Sequence, residues 1–180
     1  NEDEVEMGAS KPKGFLQSVE DPHAAKTVME LLTTCCRDSG YPVGRLDKSM
    51  LGVLLLTNDG DLAKKRTHPS FEKKKVYQVT LDKPLTRADM DEIVKGITLD
   101  DGDISADAIS YVGDKKTEVG IEIHSGRNRI VRRIFEHLGY RINKLDRVYF
   151  AGLTKQRLRR GEWRFLSPRE VQALRSGRYE

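Results

Sequence analysis

Leu51-Gly52-Val53-Leu54-Leu55-Leu56-Thr57-Asn58-Asp59-Gly60 follows Gly44-Arg45-Leu46-Asp47 after only three intervening residues. The segment Gly52 to Leu56 is too short for a globular helix and too apolar for a surface. It predicts a buried strand or apolar segment, stopped by the Asn-Asp-Gly turn. A single carboxylate, Asp47, stands at a turn just ahead of it, with Arg45 two residues earlier. A carboxylate in that position is suited to chemistry more than to solubility.

The rest of the composition sets the bounds. A chain of 180 residues makes one domain, or two closely fused subdomains, with a substantial core. Charged residues are 33% and apolar residues 37%, the balance of a soluble globular protein. No apolar run approaches the ~18 residues that a membrane span needs, and no secretory pattern opens the sequence. Cys35 and Cys36 are the only cysteines, and as neighbours they form neither a disulfide framework nor a metal spacing. A reduced, cytoplasmic protein is expected.

Charge is unevenly distributed. Asp82 to Glu122 holds eleven acidic and five basic residues, whereas Ser125 to the end holds fifteen basic and five acidic. Lys64-Lys65-Arg66 and Lys73-Lys74-Lys75 add two further basic knots. With a net charge of only +4, this segregation points to one face meeting a polyanion, and nucleic acid is the better match than an incidental solvated surface.

Residues 1–10 read as an acidic tail, aperiodic through Gly8, and 11–180 as the folded unit. Lys11 to Gly14 is a turn, and Ala24 to Leu32 can form a short helix. Asp61 caps another helix that runs toward His68-Pro69. Val76 to Leu81 alternates as a strand. Thr86 caps a helix over Arg87 to Lys95 that Gly96 stops. Leu99 to Asp103 is an acidic turn. Ala106 to Val112 and Thr117 to His124 form a hairpin, and Arg147 to Phe150 and Glu162 to Phe165 are further strands. Ser167-Pro168-Arg169-Glu170 opens a last helix. Hairpins interleaved with helices exclude a doubly wound parallel sheet, so the class is α+β, with a mixed, mostly antiparallel sheet flanked by helices.

The strongest helix runs from Arg127 to Leu138, closed by Gly139. Ile130, Val131, Ile134, Phe135 and Leu138 form its apolar stripe. Arg129, Arg132 and Arg133 share the other side, near the amino end, where cations oppose the helix dipole by a few tenths to ~1 kcal/mol each. Four arginines there, with Arg127, need an anion: a carboxylate from elsewhere in the fold or the phosphates of a ligand.

Together, Gly44-Arg45-Leu46-Asp47 with Leu54 to Gly60, Lys75-Val76-Tyr77, and His124-Ser125-Gly126-Arg127-Asn128-Arg129-Ile130-Val131-Arg132-Arg133 resemble the signatures of pseudouridine synthases, of the RsuA/RluB type that modifies ribosomal RNA. The resemblance runs in the family's order over roughly Lys11 to Arg175, with Gly161-Glu162-Trp163-Arg164 near the end. It implies the pseudouridine synthase fold and a catalytic role for Asp47 in breaking the bond from uracil N1 to ribose C1′, after which the base turns and rejoins through C5. Attack on the sugar, addition to the base and a glycal route all stay open. It further implies that Tyr77 stacks on the target base and brings a hydroxyl to the site, and that Arg132 pairs with the aspartate. RNA or substrate contacts are implied for Lys13, Arg45, Leu46, Lys75, Asn128, Arg129 and Arg133, with Lys11 to Gly14 supporting the catalytic loop. No metal and no cofactor are expected. The partner is RNA, ribosomal RNA above all, the protein works away from membranes, and a monomer is expected.

These roles agree with elementary chemistry. An arginine within ~4–6 Å keeps a shielded carboxylate ionised. A uridine stacked in RNA must be flipped out at a cost of a few kcal/mol, which aromatic stacking and phosphate contacts offset. His68, His124 and His137 are scattered and form no metal spacing, and a glycosidase would need a second carboxylate.

The sequence departs from the family pattern in three places. Met50 stands where Ser or Thr is usual, three residues after the aspartate. Glu6-Met7-Gly8-Ala9-Ser10 stands where an apolar strand is expected ahead of the lysine-proline loop, so a sheet-forming strand is expected to be missing or replaced. The small amino-terminal S4 RNA-binding domain of the group is absent, so the reading is of a catalytic domain without it. Two functions follow: an active RNA pseudouridine synthase, or an RNA-binding or ribosome-assembly protein on the same scaffold with impaired catalysis.

Overall fold

The computed structural model describes residues 6–11, 41–43, 50–57, 74–125, 127, 129–150, 153–154, 163–167 and 169–170. Strands β1 (Glu6–Lys11), β2 (Tyr41–Val43), β3 (Leu51–Thr57) and β4 (Lys75–Leu81) come first. Helix α1 (Arg87–Lys95) precedes a small hairpin, β5 (Ile97–Leu99) and β6 (Gly102–Ile104). Then come β7 (Ala108–Tyr111), β8 (Glu118–Ile123), helix α2 (Ile130–His137), β9 (Ile142–Phe150), β10 (Leu153–Thr154) and β11 (Trp163–Phe165). Nine strands form one sheet in the order β11-β1-β3-β9-β4-β8-β7, with β2 added beside β3 and β10 beside β9. Among the described strands only β3 and β9 pair in parallel. The mixed, mostly antiparallel α+β architecture is the one the sequence predicts.

Each element has a local cause. In β4, Lys75, Tyr77, Val79 and Leu81 are buried while Val76, Gln78 and Thr80 are more open, the period of a strand with one covered face. Val119, Ile121 and Ile123 continue that face on β8. Met90 and Ile93 of α1, and Ile130, Val131, Ile134 and Phe135 of α2, join these strand residues in one core, so both helices pack on the same side of the sheet. Leu51, Val53, Leu54 and Leu55 are buried in succession, as a central strand covered on both faces requires. Thr86 Oγ1 accepts from Asp89 N at 3.1 Å and Gly96 N donates to Glu92 O, so both ends of α1 are set by the residues that the sequence nominates. Ser167 and Glu170 exchange backbone-to-side-chain hydrogen bonds at 2.9 and 3.2 Å, a complete capping box.

Several expectations are corrected. The upstream strand is present: Glu6–Lys11 pairs along its whole length with β3, and Met7 to Ala9 also pair with β11. Residues 6–10 are therefore part of the sheet and not of a tail. Strand formation here follows from backbone pairing on both sides, which an apolarity criterion cannot see. The acidic turn over 99–103 is the β5–β6 hairpin, with the turn at Asp100-Asp101. Helix α2 starts at Ile130, not Arg127, because Arg129 takes a left-handed backbone, φ 52° and ψ 33°. Strand β9 begins five residues before Arg147. The helices expected over 24–32 and after Asp61 lie outside the described residues.

One close approach governs the middle of the sheet. Gly52 pairs with Arg147, and a Cβ on Gly52 would fall 2.2 Å from Arg147 O and 2.6 Å from Arg147 N, at a φ of +123°. Gly113 also has positive φ, +68°, but nothing lies within 4 Å of its added Cβ. Gly52→Ala is expected to lower unfolding free energy by roughly 3 kcal/mol or more, from backbone strain and overpacking together. Gly113→Ala should cost about 1–2 kcal/mol, from conformation alone. Urea denaturation of the two variants tests the contrast; equal losses would contradict it.

Candidate functional site

Three central strands meet in a single row. Gly52 of β3 pairs with Arg147 of β9, and Arg147 pairs with Tyr77 of β4. Two inter-strand spacings, about 10 Å, thus separate β3 from Tyr77, and Asp47 stands five residues ahead of Gly52 in sequence. The backbone pairing of β3 with β9 covers only Leu51–Asp146 and Gly52–Arg147. At the next residue of β3 the Arg147 side chain takes over: Nε and Nη2 donate to Val53 O at 3.0 and 2.6 Å. The same guanidinium lies 4.0 Å from the centre of the Phe150 ring, and Tyr77, its cross-strand neighbour, acts on its charge. Arg147 is 1% exposed. Burial pushes its pKa down and the Tyr77 contact works against that shift, but an arginine remains charged in a protein, so it is a buried cation held by its neighbours.

A bulge makes this cluster possible. Val76 pairs with Tyr149 and Tyr77 with Arg147, so Val148 is an extra residue in β9. The insertion returns Phe150, paired with Lys75, to the face that carries Arg147 and Tyr77.

Lys75 lies two residues along β4 from Tyr77 and is nearly buried at 9% exposure, with Nζ donating to Ser125 O at 3.3 Å. That bond ties the loop leaving β8 to the same end of the sheet. Ser125 Oγ accepts from Arg127 N, and α2 begins with Arg129 as its amino-terminal cap residue. Among the described residues Arg129 is the one non-glycine with positive φ, a conformation that costs a side-chain-bearing residue about 1–2 kcal/mol. Such residues concentrate at functional sites. Arg129 is exposed, and Arg132 and Arg133 are half-buried on the next turn.

The anion that the arginine-rich segment requires is supplied within the fold. Asp101, at the tip of the β5–β6 hairpin, accepts from Arg133 Nη1 at 2.9 Å and lies 3.4 Å from Arg127 Nη1. Arg127 also donates to the carbonyls of Asp101 and Asp103 at 3.1 and 3.3 Å. The hydrogen bond from Arg133, and the positive charges of Arg127 and Arg133, hold the Asp101 carboxyl below its ordinary pKa of 3.8. His124 is engaged structurally, with Nδ1 at 2.7 Å from Asp107 Oδ2.

Of the sequence-nominated site residues, Tyr77, Lys75, Arg129, Arg132 and Arg133 are described, and the Lys75–Ser125 bond links the strand that bears the first two to the loop that leads to the others. Asp47, Arg45, Leu46, Lys13 and Asn128 lie outside the described residues. Met50 is buried in the core cluster that also includes Leu54 and Tyr77, so the thioether fills core space. Sequence reasoning passed over Arg147. The available signal was a cation inside the strand-like run Leu145-Asp146-Arg147-Val148-Tyr149-Phe150, where a charge in a central strand has to be paired.

Known proteins resemble this chain closely. A family model described as RNA pseudouridylate synthase matches residues 9–137. The ribosomal large subunit pseudouridine synthase B of Bacillus subtilis is 36% identical over 170 residues, covering 92% of this chain and 69% of that protein. The Vibrio cholerae protein of the same name is 33% identical over 168 residues, covering 92% of this chain but 52% of its own length. A crystal structure of a pseudouridylate synthase superposes with a TM-score of 0.81 at 26% identity, over 96% of this chain and 74% of the other. The archaeal box H/ACA sRNP Nop10–Cbf5 complex shares the fold, with a TM-score of 0.63 at 16% identity over 87% of this chain and 51% of that one.

Asp101 gives a pH signature. Its carboxyl binds a proton less readily folded than unfolded, so its stabilisation is complete above the unfolded value near 3.8 and disappears as pH falls through the lower folded value. Asp101→Asn should therefore be less stable than the parent at pH 6–7, with the gap closing toward pH 3 and narrowing in high salt. Thermal melts of both proteins over that range test this; a gap that is constant with pH would exclude the ion pairs as its source.

Proposed function

The chain belongs to the RNA pseudouridylate synthase family, and on that premise we propose that it isomerises a specific uridine of ribosomal RNA to pseudouridine. The observation that best supports this is the Gly52–Arg147–Tyr77 row, which sets the strand leading out of Asp47 two strands from the tyrosine. In this reading the Asp47 carboxylate drives the break of the N1–C1′ bond, the base turns, C5 bonds to C1′, and the C5 proton leaves to solvent while N1 regains one. Tyr77 receives the flipped base, and Arg132 holds the aspartate ionised. Lys13, Arg45, Leu46, Lys75, Asn128, Arg129 and Arg133 serve the nucleotide and its neighbouring phosphates. The protein acts as a monomer in the cytoplasm, and its catalytic unit includes β1.

The alternative, an RNA-binding protein with impaired catalysis, loses one of its two sequence grounds, because strand β1 is in place. The other is unchanged: a buried Met50 stands where a hydroxyl is usual.

Asp47→Asn is expected to abolish tritium release from 5-tritiated uridine in ribosomal RNA while leaving RNA affinity within a few-fold. Well-folded parent protein that binds this RNA but releases no tritium would overturn the enzyme reading. Arg129→Gly should keep or slightly raise stability, since glycine accepts the left-handed backbone. It should also weaken RNA binding and lower the log–log salt slope by about one, a combination that an incidental surface arginine would not produce.

A further inference from the structure

Arg127 and Arg133 bring their Nη1 atoms to the same oxygen. Asp101 Oδ1 lies 2.9 Å from Arg133 Nη1 and 3.4 Å from Arg127 Nη1. Two guanidinium groups this close repel each other, and one carboxylate offsets only one of their two charges. The cluster therefore keeps a positive charge in excess. The carboxylate is half-exposed and both arginines are partly open, so an anion from solution can reach them. Ion pairs with this exposure are weak, and one anion exchanges readily for another.

Arg127 does not depend on that carboxylate for its place. Its Nη1 and Nη2 also donate to the backbone carbonyls of Asp101 and Asp103 at 3.1 and 3.3 Å. Gly102 permits the close contact: a Cβ there would meet Arg127 Nη1 at 3.3 Å, at a φ of +122°. The hairpin that offers these carbonyls is itself anchored. Ile97 is buried at its base, Ala106 N donates to Ile93 O at 3.0 Å, and Asp103 Oδ1 accepts from Thr98 Oγ1 at 2.8 Å across the two strands. Backbone groups thus hold the arginine, and the Asp101 carboxylate is the replaceable partner. A phosphodiester carries the same single negative charge and two free oxygens, which suit two guanidinium forks. The cluster belongs to the segment that starts at Ser125, tied to Lys75 two residues from Tyr77, and that carries the exposed Arg129.

Resting on the functional reading above, we propose that Arg127 and Arg133 form a subsite for one RNA phosphodiester, and that Asp101 is its internal counter-ligand, displaced when the RNA backbone arrives. Without RNA the carboxylate holds the two cations together. With RNA it competes against the phosphate. Asp101 therefore stabilises the free protein and weakens its complex, and these opposite signs separate a counter-ligand from an ordinary structural ion pair.

Equilibrium binding to an unmodified ribosomal RNA transcript, repeated over a range of salt, tests this. Asp101→Asn should bind roughly three- to tenfold more tightly than the parent, the scale of two partly exposed ion pairs, although it is the less stable protein at neutral pH. Asp101→Glu keeps a carboxylate and should stay close to the parent. Asp114→Asn removes the same charge from the exposed turn between β7 and β8, at the opposite end of β8 from Ser125, and should leave affinity unchanged. Arg127→Gln should weaken binding, lower the log–log salt slope by about one and abolish the gain from Asp101→Asn. Arg133→Gln supplies the same arm if Arg127→Gln does not fold. Unchanged or weaker binding by Asp101→Asn, an equal gain from Asp114→Asn, or a gain that survives loss of the arginine would overturn the subsite. The enzyme reading would stand in each case, because tritium release by the parent reports on it separately. Parent protein that binds no ribosomal RNA would overturn the functional reading, and the subsite with it.

Discussion

A guanidinium that is almost wholly excluded from water must find all its hydrogen-bond partners in the protein, and the centre of this fold is arranged around that demand. Leaving a buried charge unpaired costs several kcal/mol, so β3, β4 and β9 are constrained to bring Val53 O, the Tyr77 side chain and the Phe150 ring to one cation. The constraint also explains Gly52. The backbones of β3 and β9 approach too closely for any Cβ at that point, and the arginine then occupies the space where they part. Packing, backbone geometry and the placement of Tyr77 are consequences of one buried interaction.

A second electrostatic arrangement works on the surface. The arginines before and within α2 oppose the helix dipole, and the β5–β6 hairpin answers with Asp101 and two carbonyls. Because these groups are partly exposed, the ion pairs contribute little to stability. Their effect is on geometry: Arg127 and Arg133 are drawn toward the hairpin, while Arg129 is held exposed by its left-handed backbone. Cationic groups around the site are thus sorted into those already neutralised by the fold and those presented outward.

Much of this was legible in the sequence. The two-sided burial of Leu51 to Leu55, the caps of α1, the apolar stripe of α2 and the capping box at Ser167 follow from residue types at fixed spacings, and each forms as read. What stayed hidden depends on non-local pairing. Glu6–Lys11 carries no apolar alternation, yet it is a strand because it has partners on both sides. Arg147 and Phe150 are three residues apart, which simple alternation assigns to opposite faces; only the extra residue Val148 puts them together. Arg129 gives no sign in its side chain that its backbone will be left-handed. The candidate site was half visible for the same reason: Asp47, Tyr77 and Arg132 lie in recognisable motifs, whereas Arg147, which pairs with both β3 and β4, lies in none.

The lone parallel pairing has one more implication. On one side of it lie β11, β1, β2 and β3, and on the other β9, β10, β4, β8 and β7, each set internally antiparallel. The sheet is therefore two sheets sewn along a seam two residue pairs long, with an arginine side chain as its last stitch. Strand β3, which follows Asp47 in sequence, belongs to one half, and Tyr77 to the other. The seam therefore sets how far β3 stands from the tyrosine.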